Sequence, residues 1–169
     1  MRLRPLFLAD EKQALQGHAE LATENWEYLL GYTKNLPWAE YVEALHDESL
    51  GRNLKEGRVP ATFLMAESEG ILVGRASIRH ELNDFLFNYG GHIGYGVRPS
   101  YRRRGFATEI LRQSLSYLHG LGVSEVLLTC DEDNVGSAKV IESQGGILEN
   151  TVEFEGILKR RYWISRVIL

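Results

Sequence analysis

Val97-Arg98-Pro99-Ser100-Tyr101-Arg102-Arg103-Arg104-Gly105-Phe106-Ala107-Thr108 is the stretch on which the reading of this chain turns. Four arginines fall between residues 98 and 104, and small residues follow at 105 and 107. The residues before it, Ile93 to Val97, read as a strand. Behind it, Ala107, Leu111, Leu115 and Leu118 share one face of a helix expected from about Arg104 to Leu118. A helix N-terminus is positive, because its first amides are unpaired and its dipoles align. Cations piled at such an entry repel it unless an anion lies among them, so the turn is read as a phosphate site. Small side chains at 105 and 107 let a phosphate reach the backbone amides. A solvated basic turn ending a strand has the same composition, but the strand-turn-helix setting favours the anion. No Gly-Lys-Ser/Thr follows and Gly-x-Gly-x-x-Gly is absent, so this is neither a Walker loop nor a dinucleotide fingerprint.

The flanking segments extend this picture. In Gly91-His92-Ile93-Gly94-Tyr95-Gly96-Val97, glycines inside a strand mark either a bulge or a close approach of another chain or ligand. Beside an anion site they suggest an extended ligand bonded to strand amides. Val123 to Cys130 is almost continuously apolar, as in a central strand covered on both faces. Strand, helix and strand then make a βαβ unit with two parallel strands, the arginine turn at the C-terminal end of the first, where α/β sheets bind ligands. Asn134 reads as the N-cap of a helix running to Gln144, which brings it to the same sheet edge, and Gly145 suits the C-cap.

The remainder fits one α/β (α+β) domain over residues 1–169. Residues 1–60 supply a first strand over 2–8 and two or three acidic, aromatic helices over 10–56, broken near Asn35-Leu36-Pro37. Residues 61–169 open with a hairpin, Ala61 to Glu67 and Ile71 to Arg79 around Glu69-Gly70, followed by a loop over 83–91. Two strands, 147–153 and 157–168, close the chain around Glu155-Gly156.

Composition narrows the classes of function. Hydrophobic residues are 44% and charged residues 25%, ordinary for a globular protein. The net charge of −4 argues against nucleic-acid binding and makes the arginine cluster a local exception. A lone cysteine, Cys130, allows no intrachain disulfide. No apolar run approaches the roughly 20 residues of a membrane helix. The start, Met1-Arg2-Leu3-Arg4-Pro5, lacks a signal-peptide core, so a cytoplasmic location without membrane association is expected. No metal site is expected.

With these motifs in place, the chain resembles the GNAT superfamily of acetyl-CoA-dependent N-acetyltransferases over most of residues 61 to 167. Arg102, Gly105 and Ala107 meet the Arg/Gln-x-x-Gly-x-Gly/Ala signature, and Asn134 with Ser137 matches the later cofactor-side asparagine helix. Gly-His-Ile-Gly-Tyr-x-Val-Arg-Pro and Val140-Ile141-Glu142 with Gly145-Gly146 resemble a bacterial subgroup of predicted acetyltransferases. The resemblance implies the acyl-CoA N-acyltransferase fold, a mixed central sheet of about six or seven strands with flanking helices. It implies acetyl-CoA as co-substrate, the diphosphate on the amides of residues 103–108, and the pantetheine arm along Val97 and its neighbours. The implied cofactor contacts are Tyr95, Gly96, Val97, Arg98, Arg102, Arg103, Arg104, Gly105, Phe106, Ala107, Thr108, Asn134 and Ser137. Many relatives carry a tyrosine in the asparagine-motif helix that protonates the departing thiolate; Ile141 stands there in this chain.

The implied reaction is direct acetyl transfer to a primary amine of a small molecule or peptide, by a monomer or homodimer. A non-catalytic CoA sensor or interaction module is the alternative, motivated by Ile141, and a different phosphate ligand such as a nucleotide is a third. Transfer needs a neutral amine, hence a route for its proton. His92, His80 and Glu81 are the candidate bases, with Asp131 behind them, and each has a plain reading as a structural or exposed residue. Cys130 reads as a buried thiol. The backbone amide near Val97 could polarise the thioester carbonyl. The acceptor pocket is expected from residues 10–56 and the 83–91 loop.

Overall fold

The computed structural model describes residues 1–166. Strand β1 (Arg2–Pro5) leads into helices α1 (Glu11–Ala22) and α2 (Trp38–Ser49). Pro37 precedes α2 at its N-cap, as the expected break requires. Strands β2 (Ala61–Ser68), β3 (Ile71–Arg79) and β4 (Ile93–Val97) follow, with a π-helical turn, Leu86–Gly90, inside the expected 83–91 loop. Helix α3 (Phe106–Gly120), strand β5 (Glu125–Asp131), helix α4 (Val135–Ser143) and strands β6 (Ile147–Phe154) and β7 (Ile157–Ser165) complete the described chain. Residues 167 and 168 of the expected last strand lie outside the described residues. Both hairpins turn on two residues with positive φ, Glu69-Gly70 and Glu155-Gly156, the backbone hand that matches strand twist.

The seven strands divide into two sheets, β1-β2-β3-β4 and β5-β7-β6. One core lies on the α3/α4 face, where Ile110, Leu111, Leu115 and Leu118 of α3 pack with Ala76, Ile78, Ile93 and Val97. Burying each such aliphatic side chain contributes roughly 1.5–3 kcal/mol. The other core lies beneath α1 and α2, where Leu21, Tyr28, Trp38 and Tyr41 meet Phe63, Met65 and Leu72.

The expected parallel β4–β5 pair does not form a ladder, and this corrects the βαβ reading. Every ladder among the described strands is antiparallel, and β4 and β5 are edge strands of different sheets. They touch at one level. His92 N–H donates to Leu127 O at 2.8 Å, and Leu127 N–H donates to His92 Nδ1 at 3.0 Å. An imidazole nitrogen thus takes the donor that a β4 carbonyl would need, and the ladder stops where it starts. Beyond this joint the edge of β4 is open.

Candidate functional site

The register of β3 and β4 shows which backbone groups face that opening. Arg79 N–H donates to His92 O, and Arg98 N–H donates to Val73 O. Hydrogen-bonded residues alternate along an antiparallel pair, so residues 94, 96 and 98, with the carbonyl of His92, address β3. Tyr95 and Val97 therefore turn their N–H and C=O groups towards the open edge. Just past Val97 the chain makes a short 3-10 turn, Pro99–Tyr101, and then enters α3 through Gly105 at φ +81°. That left-handed backbone suits glycine, and nothing lies within 4 Å of where its Cβ would be. Among the described residues, the amides of residues 103–108 donate to no turn, loop or side-chain acceptor. They are the free donors of a helix entrance.

A cleft of about 830 Å³ joins these features. It is lined by Tyr95, Gly96 and Val97 of β4, by Arg102, Arg103, Gly105, Phe106, Ala107 and Thr108 of the turn, and by Asn134 and Ser137 of α4. Eleven of the thirteen residues expected to hold a cofactor thus lie around one space. Asn134 Oδ1 accepts from Ser137 N–H at 3.0 Å, fixing the start of α4 beside the cleft.

The other two, Arg98 and Arg104, do not line it. Arg98 is buried and aims inward: its Nε and Nη2 donate to the Glu20 carboxylate at 2.8 and 2.7 Å, and its Nη1 donates to Leu72 O. It secures α1 to the sheet and is not available to a ligand. Arg104 lies against the Tyr101 ring, 5.6 Å from its centroid. Arg102 lines the cleft but is also paired, its guanidinium gripping Glu24 at 2.6 and 3.0 Å while Nε donates to Val97 O. That pairing holds the Glu24 carboxyl below its usual range. The charge excess of the turn is therefore smaller than its four arginines suggest, since Glu20 and Glu24 offset half of it. These acids sit 78 residues away, beyond the reach of local pattern reading.

The glycines of β4 are also partly reassigned. A methyl group at Gly96 would lie 2.4 Å from the Trp26 ring, so the missing side chain makes room for Trp26. Trp26, Glu24 and Leu21, all cleft residues, come from the α1–α2 region and were not singled out as cofactor contacts. The acidic, aromatic composition of that region was the available signal.

The candidate bases are not brought together. His92 is buried at the β4–β5 joint and does not line the cleft; burial pulls its imidazole down to about 4, so it is neutral and accepts through Nδ1. His80 lies past the end of β3, at the opposite end of β4 from Val97, with Nε2 2.7 Å from Thr62 Oγ1. Glu81 is exposed beside it. Asp131 is paired with Lys159 at 2.6 Å. Cys130 is a buried core thiol whose pKa burial pushes up. Ile141 is buried in the α3/α4 core and offers no proton. A hydroxyl does reach the cleft from β4: Tyr95 Oη lies 3.3 Å from Ser137 Oγ, and burial pushes the phenol up to about 12, so it is protonated at neutral pH.

Comparison with known proteins follows the same lines. The model of the GNAT acetyltransferase domain matches residues 1–147. The chain is 28% identical over 151 residues to YjdG of Bacillus subtilis, an uncharacterised N-acetyltransferase, spanning 86% of this chain and 83% of that one. A ribosomal-protein-alanine N-acetyltransferase from Brucella melitensis superposes with TM-score 0.68 at 18% identity, over 98% of this chain and 100% of the other. A putative acetyltransferase from Salmonella typhimurium, yncA, solved with acetyl-CoA, superposes with TM-score 0.64 at 15% identity, over 97% and 92%.

Proposed function

This chain belongs to the GNAT acetyltransferase family, and from that premise we propose that it moves an acetyl group from acetyl-CoA directly to a primary amine of a small molecule or peptide. One observation carries the reading. The open backbone edge at Tyr95 and Val97 runs straight into the free amides of residues 103–108, within one cleft. An extended arm ending in a diphosphate fits that order of donors, and acetyl-CoA supplies the activated acyl thioester. The amides of residues 103–108, with Arg103 beside them, would hold the diphosphate. Tyr95 and Val97 would hold the arm and present an N–H to the thioester carbonyl. Tyr95, relayed through Ser137, would return a proton to the departing thiol, the task that relatives give to a tyrosine on α4. The cleft's carboxylate, Glu24, is tied to Arg102, so the amine's proton would leave to water.

The test is an amine panel with acetyl-CoA, read as free thiol, together with calorimetry of acetyl-CoA on the protein. Turnover that needs both protein and amine is expected, and Gly105→Glu should abolish acetyl-CoA binding by forcing a carboxylate into the phosphate cradle. Tight binding without turnover of any amine would leave a CoA-binding module instead. Undiminished binding by Gly105→Glu would remove the site.

A further inference from the structure

On the sheet face opposite α3 and α4, β3 presents Arg75 and Arg79, four residues apart on one face with Ser77 between them. Gly94 of β4 adjoins both: a methyl group there would lie 3.4 and 3.6 Å from Nη1 and Nη2 of Arg79 and 3.7 Å from Nη1 of Arg75. Among the described residues, neither guanidinium has a carboxylate oxygen within 4 Å.

The two differ in how their donors are used. Arg75, 3% exposed, gives Nε to Tyr28 O at 3.0 Å, Nη1 to Gly94 O at 3.2 Å and Nη2 to Glu27 O at 2.7 Å, and stacks 4.0 Å from the Trp26 ring centroid. It is a fixed part of the wall. Arg79 is half-buried and, among the described residues, makes one long contact, Nη1 to Gly91 O at 3.5 Å. A guanidinium has five N–H donors in a planar fork suited to a carboxylate. Holding this one charged, partly desolvated and nearly unbonded beside a second cation is costly, and burial pulls it down to about 10. Glu48, the acid whose charge acts on Arg79, is engaged with Arg58.

We propose that Arg79 is the acceptor's carboxylate site, with Arg75 setting the positive field behind it, so that the acceptor is a free amino acid rather than a simple alkylamine or a peptide N-terminus. The proposal rests on the acetyl-transfer reading above. The spacing suits it: Gly94 adjoins Tyr95, whose backbone faces the open edge, and a strand advances about 3.3 Å per residue. A carboxylate on Arg79 over Gly94 would therefore leave an α-amino group at the β4–β5 gap. Gly94 carries no side chain that would block the approach.

The experiment compares the free amino acids with their carboxamides, as acceptors with acetyl-CoA and as calorimetric titrants of the CoA-loaded protein. At least one free amino acid should exceed its carboxamide in kcat/KM by roughly tenfold to a hundredfold, the range of a charge-assisted bond. Arg79→Gln should erase that preference through KM, Arg79→Lys should restore part of it, and acetyl-CoA affinity should stay at the wild-type value in both. Equal use of acids and carboxamides, or an unchanged preference in Arg79→Gln, overturns the site. If nothing is turned over, acetyl transfer fails as a reading. The titration then still decides the site: carboxylate-dependent binding lost in Arg79→Gln sustains it, and its absence in the wild type ends it.

Discussion

Arg98 and Tyr95 show how far one residue's role depends on partners distant in sequence. In the sequence Arg98 is one of four equivalent cations; in the structure it is enclosed and forked onto Glu20. Tyr95 reads as a strand residue alternating with glycines, yet its hydroxyl crosses to Ser137 on α4. Neither partner is within reach of a local pattern. Tyr95→Phe removes the hydroxyl and keeps the ring. If this phenol protonates the departing thiol, kcat falls about tenfold while KM for acetyl-CoA holds. The loss sits below the usual 10²–10⁴ of acid catalysis because a thiolate, with a pKa near 8.5, leaves tolerably well without help. Steady-state kinetics of the two proteins check this, and an unchanged kcat returns the acid role to water.

At the scale of elements, the site exists because β4 and β5 start together and then part. Both strands and α3 between them are legible in the sequence, since β4 alternates, α3 keeps one apolar face and β5 is an apolar run. Their pairing as parallel neighbours fails, because nothing in either strand announces that an imidazole will take the Leu127 amide. His92 is that closure, and its neutrality has a measurable consequence. Burial, the dominant cause, lowers its folded pKa to about 4 from the ordinary 6.5. Between those values the unfolded chain binds a proton that the folded chain refuses, so stability rises with pH across the window. The contribution is complete above about pH 6.5 and is lost as pH falls towards 4, by roughly 3 kcal/mol. His92→Asn, whose side-chain oxygen can still accept from the Leu127 amide, should flatten this dependence. Urea unfolding at pH 7, 5.5 and 4 on both proteins measures it, and parallel curves would show that His92 is not the titrating group.

At the scale of the molecule, the element order and the cleft walls from β4, the arginine turn and α4 were legible, and the wall from the α1–α2 region was not. Arg102-x-x-Gly105-x-Ala107 and Asn134-x-x-Ser137 are local motifs whose chemistry follows from their place at element ends. The residues that shape the opposite face, Trp26 over Gly96 and Arg75 with Arg79 behind Gly94, meet only when α1, the following loop and two strands are assembled. The cleft likewise draws on both cores: Leu21 and Trp26 stand on the α1 side, Phe106 and Ala107 on α3, and Asn134 on α4. A ligand lying there touches every layer, so its binding free energy becomes unfolding free energy of the whole fold. At a hundred times its dissociation constant, acetyl-CoA should stabilise the protein by about 2.7 kcal/mol, or about 5–10 °C in Tm for a chain of this length. If the turn holds the diphosphate through helix-entry amides and cations exposed to solvent, the shift should shrink between low salt and 0.5 M NaCl. ATP and NAD, which bear phosphates but no arm to lie along Tyr95 and Val97, should give smaller shifts at equal concentration. Thermal melts across that matrix check all three expectations, and an ATP shift equal to that of acetyl-CoA would mean that the open edge of β4 contributes nothing to recognition.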